Sequence, residues 1–167
     1  MKTLILCRHA KSDWPEHVAD LDRPLKQRGV RDAQQLGKLL AEQEVQPEAF
    51  FCSPARRARQ TAEIIAETLK FPEKIVIEPS IYHEGAERLL EQIRNLPHHL
   101  ESAIFFGHNP TLEHVVQRLL RCAAPFYMPT CAMVCFETLA PTWAQLDTSN
   151  LHLRWMLIPR LRRSGGE

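Results

Sequence analysis

The sequence predicts an α/β fold built on a mostly parallel sheet with helices on both faces. Apolar runs of strand length recur at 3–7, 49–53, 75–78, 103–106, 132–136 and 151–158, and segments with helical spacing separate the first four. Three of those runs also end in polar residues that lead into a helix: Arg8-His9, Ser53-Pro54-Ala55-Arg56-Arg57-Ala58 and Gly107-His108-Asn109-Pro110. In such folds ligands bind at the C-terminal rim of the strands, where these residues would meet.

Each element follows in order. Thr3-Leu4-Ile5-Leu6-Cys7 is the first strand, and Arg8-His9 sits at its exit. Residues 10–29 are polar and contain Pro15, Pro24 and Gly29, which predicts a loop over the pocket. Ala33, Leu36, Leu39 and Leu40 form the first helical stripe; Ala58, Ala62, Ile65, Ala66 and Leu69 form the second. Leu89, Leu90, Ile93 and Leu96 make a third, and Leu112, Val115, Val116, Leu119 and Leu120 a fourth. Ser53-Pro54 reads as a helix N-cap followed by proline at the first helical position, and Asn109-Pro110 repeats the pattern. Both helix N-termini would then offer N–H groups and a positive dipole end to an anion at the rim. Residues 121–131 and 139–150 are loops. Little helix separates the last two runs, so an antiparallel or mixed edge is expected there. The final run alternates with period two, which puts Leu151, Leu153, Trp155 and Leu157 on one face.

At 167 residues the chain suits a single domain that buries roughly 70% of its unfolded surface. We place that domain at 1–159 and read the basic tail 160–167 as disordered. A net charge of +1 gives no global field for nucleic acid or an acidic membrane, so any anion specificity is local. Five cysteines (Cys7, Cys52, Cys122, Cys131, Cys135) show no zinc-ligand spacing and suit reduced thiols better than a disulfide framework. The opening apolar run is too short for a signal peptide or membrane span, and a cytoplasmic location is expected.

Cations and imidazoles at one rim suit a phosphoryl group, whose charge in flight is spread over three equatorial oxygens. Arg8 and Arg57 would supply forks of N–H donors. A neutral His9 has a lone pair for in-line attack on phosphorus, giving a covalent phosphohistidine. His108 would donate to a phosphate oxygen. No metal or other cofactor is needed for this chemistry, and the histidines show no zincin-type spacing. Singly, each residue reads as an ordinary surface charge or structural histidine; their coincidence at three strand exits is the signal. Arg56 and Arg59 flank Arg57 but point elsewhere on a helix, and are expected at the surface.

Arg8-His9-Ala10-Lys11-Ser12, Ser53-Pro54-Ala55-Arg56-Arg57-Ala58-Arg59-Gln60-Thr61-Ala62 and Gly107-His108-Asn109-Pro110 resemble, in order, the three signatures of the histidine phosphatase superfamily, which includes the phosphoglycerate mutases. Asp22-Arg23-Pro24-Leu25 followed by Arg28-Gly29, with the short chain, is most similar to its SixA-type phosphohistidine phosphatase branch. The resemblance runs from residue 1 to about 120. It implies a three-layer α/β/α sandwich with a mixed, mostly parallel six-stranded sheet of the phosphoglycerate mutase-like kind. It also implies that Arg8, Arg57 and His108 bind the phosphoryl group and that His9 is the nucleophile. The mutase motif's terminal Asn falls on Pro15, and Ala10 stands where that motif has glycine. The family's acid, a Glu after the third strand, aligns loosely with Glu84, which reads equally well as a helix N-terminal carboxylate held by the dipole. His83 is a weaker candidate for the same role.

An alkoxide leaving group needs a strong general acid, whereas the imidazole of phosphohistidine leaves readily. Phe71-Pro72-Glu73 also links the second helix to the third strand with no insertion to form a lid. Both features favour a phosphorylated protein as partner, a histidine phosphotransfer domain among them, over a small phosphate ester. The alternatives are a small-molecule phosphomonoesterase and a phosphate-binding interaction module without chemistry. Neither nucleic acid nor membrane is expected as a partner.

Overall fold

The computed structural model describes residues 1–159; the basic tail, 160–167, lies outside the described residues. Six strands form one sheet in the order β3-β2-β4-β1-β5-β6. They are β1 (Lys2–Arg8), β2 (Ala49–Cys52), β3 (Val76–Ile77), β4 (Ser102–Gly107), β5 (Met133–Thr138) and β6 (Leu151–Leu157). The first four run parallel, β5 is antiparallel to β1, and β6 is antiparallel to β5. The sheet is therefore mixed and mostly parallel: β5 alone is reversed, and its antiparallel return to β6 needs no crossover helix.

Alternation along β1 splits the core in two. Leu4 and Leu6 face a cluster with Leu89, Leu90 and Ile93 of α4 (Gly85–Arg94) and Leu112, Val115 and Val116 of α5 (Thr111–Leu120). Ile5 and Cys7 face the other cluster, with Ala33 and Leu36 of α1 (Gln27–Ala41) and Ala58, Ala62 and Ile65 of α2 (Arg56–Leu69). Helices thus cover both faces, and the three layers of an α/β/α sandwich follow from period-two strands between period-3.6 stripes. One further turn of helix, α3 (Ser80–His83), precedes α4. Among the described residues no helix is long and apolar enough to cross a membrane.

Three local expectations are corrected. In β6, Cys135 pairs with Trp155 but Phe136 pairs with Leu153, so Arg154 is a bulge residue. The bulge resets the alternation: Leu151 packs on the α4/α5 side while Trp155 and Leu157 pack on the α1/α2 side. The segment 10–29 is not all loop. It holds a 3-10 turn at Asp20–Asp22 and a bridge between Ser12 and Leu25, and α1 already begins at Gln27. Gly29 lies inside that helix, where a Cβ would collide with the Lys11 carbonyl oxygen. Finally, α2 and α5 start one or two residues later than the Ser-Pro and Asn-Pro pairs suggest, with Ala55 and Pro110 at the cap positions and no side-chain cap. Ser53 and Asn109 are freed for other bonds.

Candidate active site

The exits of β1 and β4 and the first turn of α2 converge on a cavity of about 280 Å³ lined by Arg8, His9, Lys11, Ser12, Arg23, Arg57, His108, Asn109 and Thr130. Four basic side chains, Arg8, Lys11, Arg23 and Arg57, and no carboxylate line it. Arg8, His9, Arg57 and His108, picked out from the sequence, all meet here. Arg56 and Arg59 are exposed, as expected.

His9 is held by its backbone between neighbours. Its N–H donates to the Gly107 carbonyl (3.1 Å) and its carbonyl accepts from Cys131 (3.0 Å). The next N–H, of Ala10, donates to Thr61 Oγ1 (2.9 Å), and that hydroxyl donates to the Arg57 carbonyl (2.7 Å). This chain ties the nucleophile candidate to the helix that carries Arg57. In the ring, Nδ1 lies 2.8 Å from the Ala10 carbonyl. A carbonyl only accepts, so Nδ1 carries the proton and Nε2 keeps its lone pair.

His108 faces His9 with ring centroids 5.2 Å apart. Its Nε2 lies 2.7 Å from Ser53 Oγ, which also accepts weakly from the Ala55 N–H at 3.3 Å. The bond to Ser53 fixes the plane of the His108 ring beside His9. Nδ1 is buried without a partner, as are Nε of Arg8 and Nε of Arg57. Buried polar atoms without partners are costly, and all three belong to side chains that line the cavity.

The two arginines are anchored differently. Arg8 donates from Nη1 to the Met128 carbonyl (2.9 Å), a carbonyl also held by Asn109 Nδ2 (2.9 Å). Glu113 accepts from both Asn109 Nδ2 (2.7 Å) and the Met128 N–H (2.9 Å), fixing that loop. Arg57 donates twice to one residue: Nη1 to the Asp20 carbonyl (2.6 Å) and Nη2 to its carboxylate (3.0 Å). The same carboxylate accepts from Tyr82 (2.7 Å) and from Arg23 (3.1 Å). The Tyr82 phenol, then the two guanidinium groups, hold Asp20 down at about 2, so it is a carboxylate throughout the working range. Asp20, Ser53, Thr61 and Arg23 were not assigned site roles from the sequence. The Asp22-Arg23-Pro24-Leu25 stretch was the signal that could have flagged Arg23.

Glu84 is not brought to the cavity. It sits exposed between α3 and α4, with its carboxylate 3.5 Å from Arg88 Nε, and His83 is exposed beside it. Glu84, Arg88, Glu91 and Arg94 line a separate surface groove. The helix N-terminal reading of Glu84 is the one its position fits.

Burial pushes His9 down to about 4, with the charges of Arg57, Arg8 and Arg23 adding to it against the Ala10 hydrogen bond. Burial, then His9 and Arg57, pushes His108 down to about 3. Both rings are neutral at pH 7, which is what a nitrogen nucleophile requires. Both folded values lie below the unfolded 6.5. The stability gained by keeping the rings neutral is therefore full above pH 6.5 and is lost as pH falls towards 4 and 3. The loss from His9 alone is expected to reach about 3 kcal/mol. Urea melts from pH 7 to pH 4 should show the His9→Asn, His108→Asn double variant declining less steeply than the parent. Parallel pH dependences would contradict the assignment of the two buried neutral rings.

A family model of the histidine phosphatase superfamily (branch 1) matches residues 4–123. An uncharacterized protein of Mycobacterium tuberculosis (strain ATCC 25618 / H37Rv) is 35% identical over 105 residues, covering 62% of this chain and 63% of the relative, so the match spans under two thirds of that relative's length. Among solved structures, an Agrobacterium tumefaciens protein assigned as a SixA phosphohistidine phosphatase superposes with a TM-score of 0.80 at 26% identity, over 95% of this chain and 99% of the other. The protein histidine phosphatase SixA complexed with tungstate shares the fold, with a TM-score of 0.81 at 22% identity over 94% and 97% of the two chains. A family model that covers most of the chain, on a fold that gathers its three motifs at one rim, makes this protein a member of the histidine phosphatase superfamily, branch 1.

Proposed function

We propose that the protein is a phosphatase that works through a covalent phosphohistidine on His9 and removes phosphate from histidine on another protein. Nε2 of His9 attacks phosphorus and forms an N–P bond. The bond from phosphorus to the substrate's imidazole breaks, and its electron pair leaves with that ring. A substrate imidazole protonated on its other nitrogen departs neutral and needs no acid from the enzyme. Water then attacks the same phosphorus, the His9 N–P bond breaks, and phosphate is released with one proton passing to solvent. Arg8, Arg57 and His108 would hold the three equatorial oxygens in both steps.

The observation that carries the choice of substrate is the absence of a carboxyl group from the residues lining the cavity, with Glu84 turned to Arg88. An alkoxide would leave without help, at a cost of the order of 10²–10⁴ in rate; an imidazole would not incur it. The likeness to SixA phosphohistidine phosphatases supports the same reading. Five unpaired cysteines suit a reducing compartment, and we place the protein in the cytoplasm.

A direct comparison of kcat/KM tests this. A phosphohistidine peptide should be turned over about 10³-fold better than p-nitrophenyl phosphate or sugar phosphates. The reverse ranking would make the protein a small-molecule phosphomonoesterase. Binding of tungstate with no labelled enzyme from any substrate would reduce it to a phosphate-binding module.

A further inference from the structure

The cavity, at about 280 Å³ with a wholly polar or cationic set of side chains near its base, takes a phosphoryl group and leaves the rest of the substrate at the mouth. Two loops at that mouth turn aromatic rings to water. Trp14, 64% exposed, lies two residues beyond Ser12 on the loop after β1. The Arg23 guanidinium stacks on it at 4.1 Å, and Arg23 is itself pinned to Ser12 Oγ (2.9 Å), the Asp13 carbonyl (3.1 Å) and Asp20. Tyr127, 74% exposed, precedes Met128, whose carbonyl accepts from Arg8 Nη1 at 2.9 Å. These are the exposed tryptophan and tyrosine side chains among the described residues. Neither belongs to a core cluster, so burial of apolar surface does not account for their place. Rigid aromatic rings beside a charged anchor are the usual composition of a binding hot spot.

On the phosphohistidine reading above, we propose that Trp14 and Tyr127 dock the protein segment that bears the phosphorylated histidine. They pack on apolar side chains next to that histidine while the phosphoryl group enters among Arg8, Lys11, Arg23 and Arg57. Charge complementarity sets the occupant's anchor: four cations line the cavity against the one Asp20 carboxylate that Arg23 and Arg57 share, an excess that suits a multiply charged anion. The two exposed rings, one on each loop, call for apolar surface on both sides of it, which a free amino acid or sugar phosphate lacks.

The test uses two probes: free phosphohistidine, and a peptide of about a dozen residues with leucines flanking a histidine phosphorylated by phosphoramidate. The parent protein should prefer the peptide at least about tenfold in kcat/KM, the scale of one aromatic hot spot. Trp14→Ala and Tyr127→Ala should each remove most of that preference through KM, with less than about a twofold change on free phosphohistidine. Trp14→Phe, which keeps a ring, should restore it. Equal losses on both probes would show Trp14 acting only through Arg23, and no loss on either would show idle rings; both outcomes overturn the proposal while the phosphohistidine reading survives. Failure of the parent on both probes, with turnover of phosphate esters, would overturn the two together.

Discussion

Replacing His9 by alanine is expected to lower turnover by on the order of 10⁴-fold or more and to abolish acid-labile labelling of the protein from a radiolabelled phospho-donor. The size follows from what is lost. His9 Nε2 is the imidazole nitrogen left open to the cavity: its Nδ1 is committed to the Ala10 carbonyl, while His108 has Nε2 bonded to Ser53 and Nδ1 buried. The remaining lining side chains are cations, hydroxyls and an amide, none of which is a nitrogen nucleophile at neutral pH. The fold should survive, because residue 9 is joined to Gly107 and Cys131 through its backbone and alanine keeps both bonds. Rapid-quench labelling with circular dichroism on the same sample separates chemistry from folding. Labelling that persists in a folded His9→Ala protein would move the nucleophile elsewhere.

The parts of the molecule that were legible in the sequence share a physical cause. β1 is buried on both faces, so it reads as an unbroken apolar run, and the first polar residues after it must lie at its end. Arg8 and His9 were therefore placed by local pattern alone, as were Arg57 and His108 after β2 and β4. What pattern could not give is set by how loops approach across the rim. Asp20 meets Arg57 from 37 positions away, and Tyr82 meets Asp20 from 62 away. Ser53 looked like a helix cap because the competing partner for its hydroxyl, His108, is 55 residues distant. Arg154 looked like one residue of a regular strand. Its guanidinium donates to the buried Glu137 at 2.6 Å, and the bulge at that position reverses the facing of what precedes it. Glu84 follows β3 along the chain, but it stands exposed at the start of α4, outside the cavity, with its carboxylate 3.5 Å from Arg88 one turn on.

Arg57→Met is expected to lower kcat/KM by about 10³-fold, and Arg57→Lys by about 10²-fold. The difference rests on the geometry around Asp20. The guanidinium uses one N–H on the Asp20 carbonyl and one on its carboxylate, and still has a second N–H on each Nη for phosphoryl oxygens. An ammonium is a point charge with three donors on a flexible stem. It can answer Asp20 or the phosphoryl group, but it cannot be held by one while it forks to the other. Asp20→Asn should then cost less than either, roughly tenfold, since the carbonyl bond to Arg57 and the amide oxygen both remain. It should act mainly on kcat, because a looser fork misplaces charge in the transition state more than it weakens ground-state binding. Tungstate inhibition separates the cases: Arg57→Met should weaken it together with kcat/KM, while Asp20→Asn should leave it within a few-fold. If Arg57→Met stayed within tenfold of the parent on both measures, the fork would not be a phosphoryl ligand, and its bonds to Asp20 would be structural only.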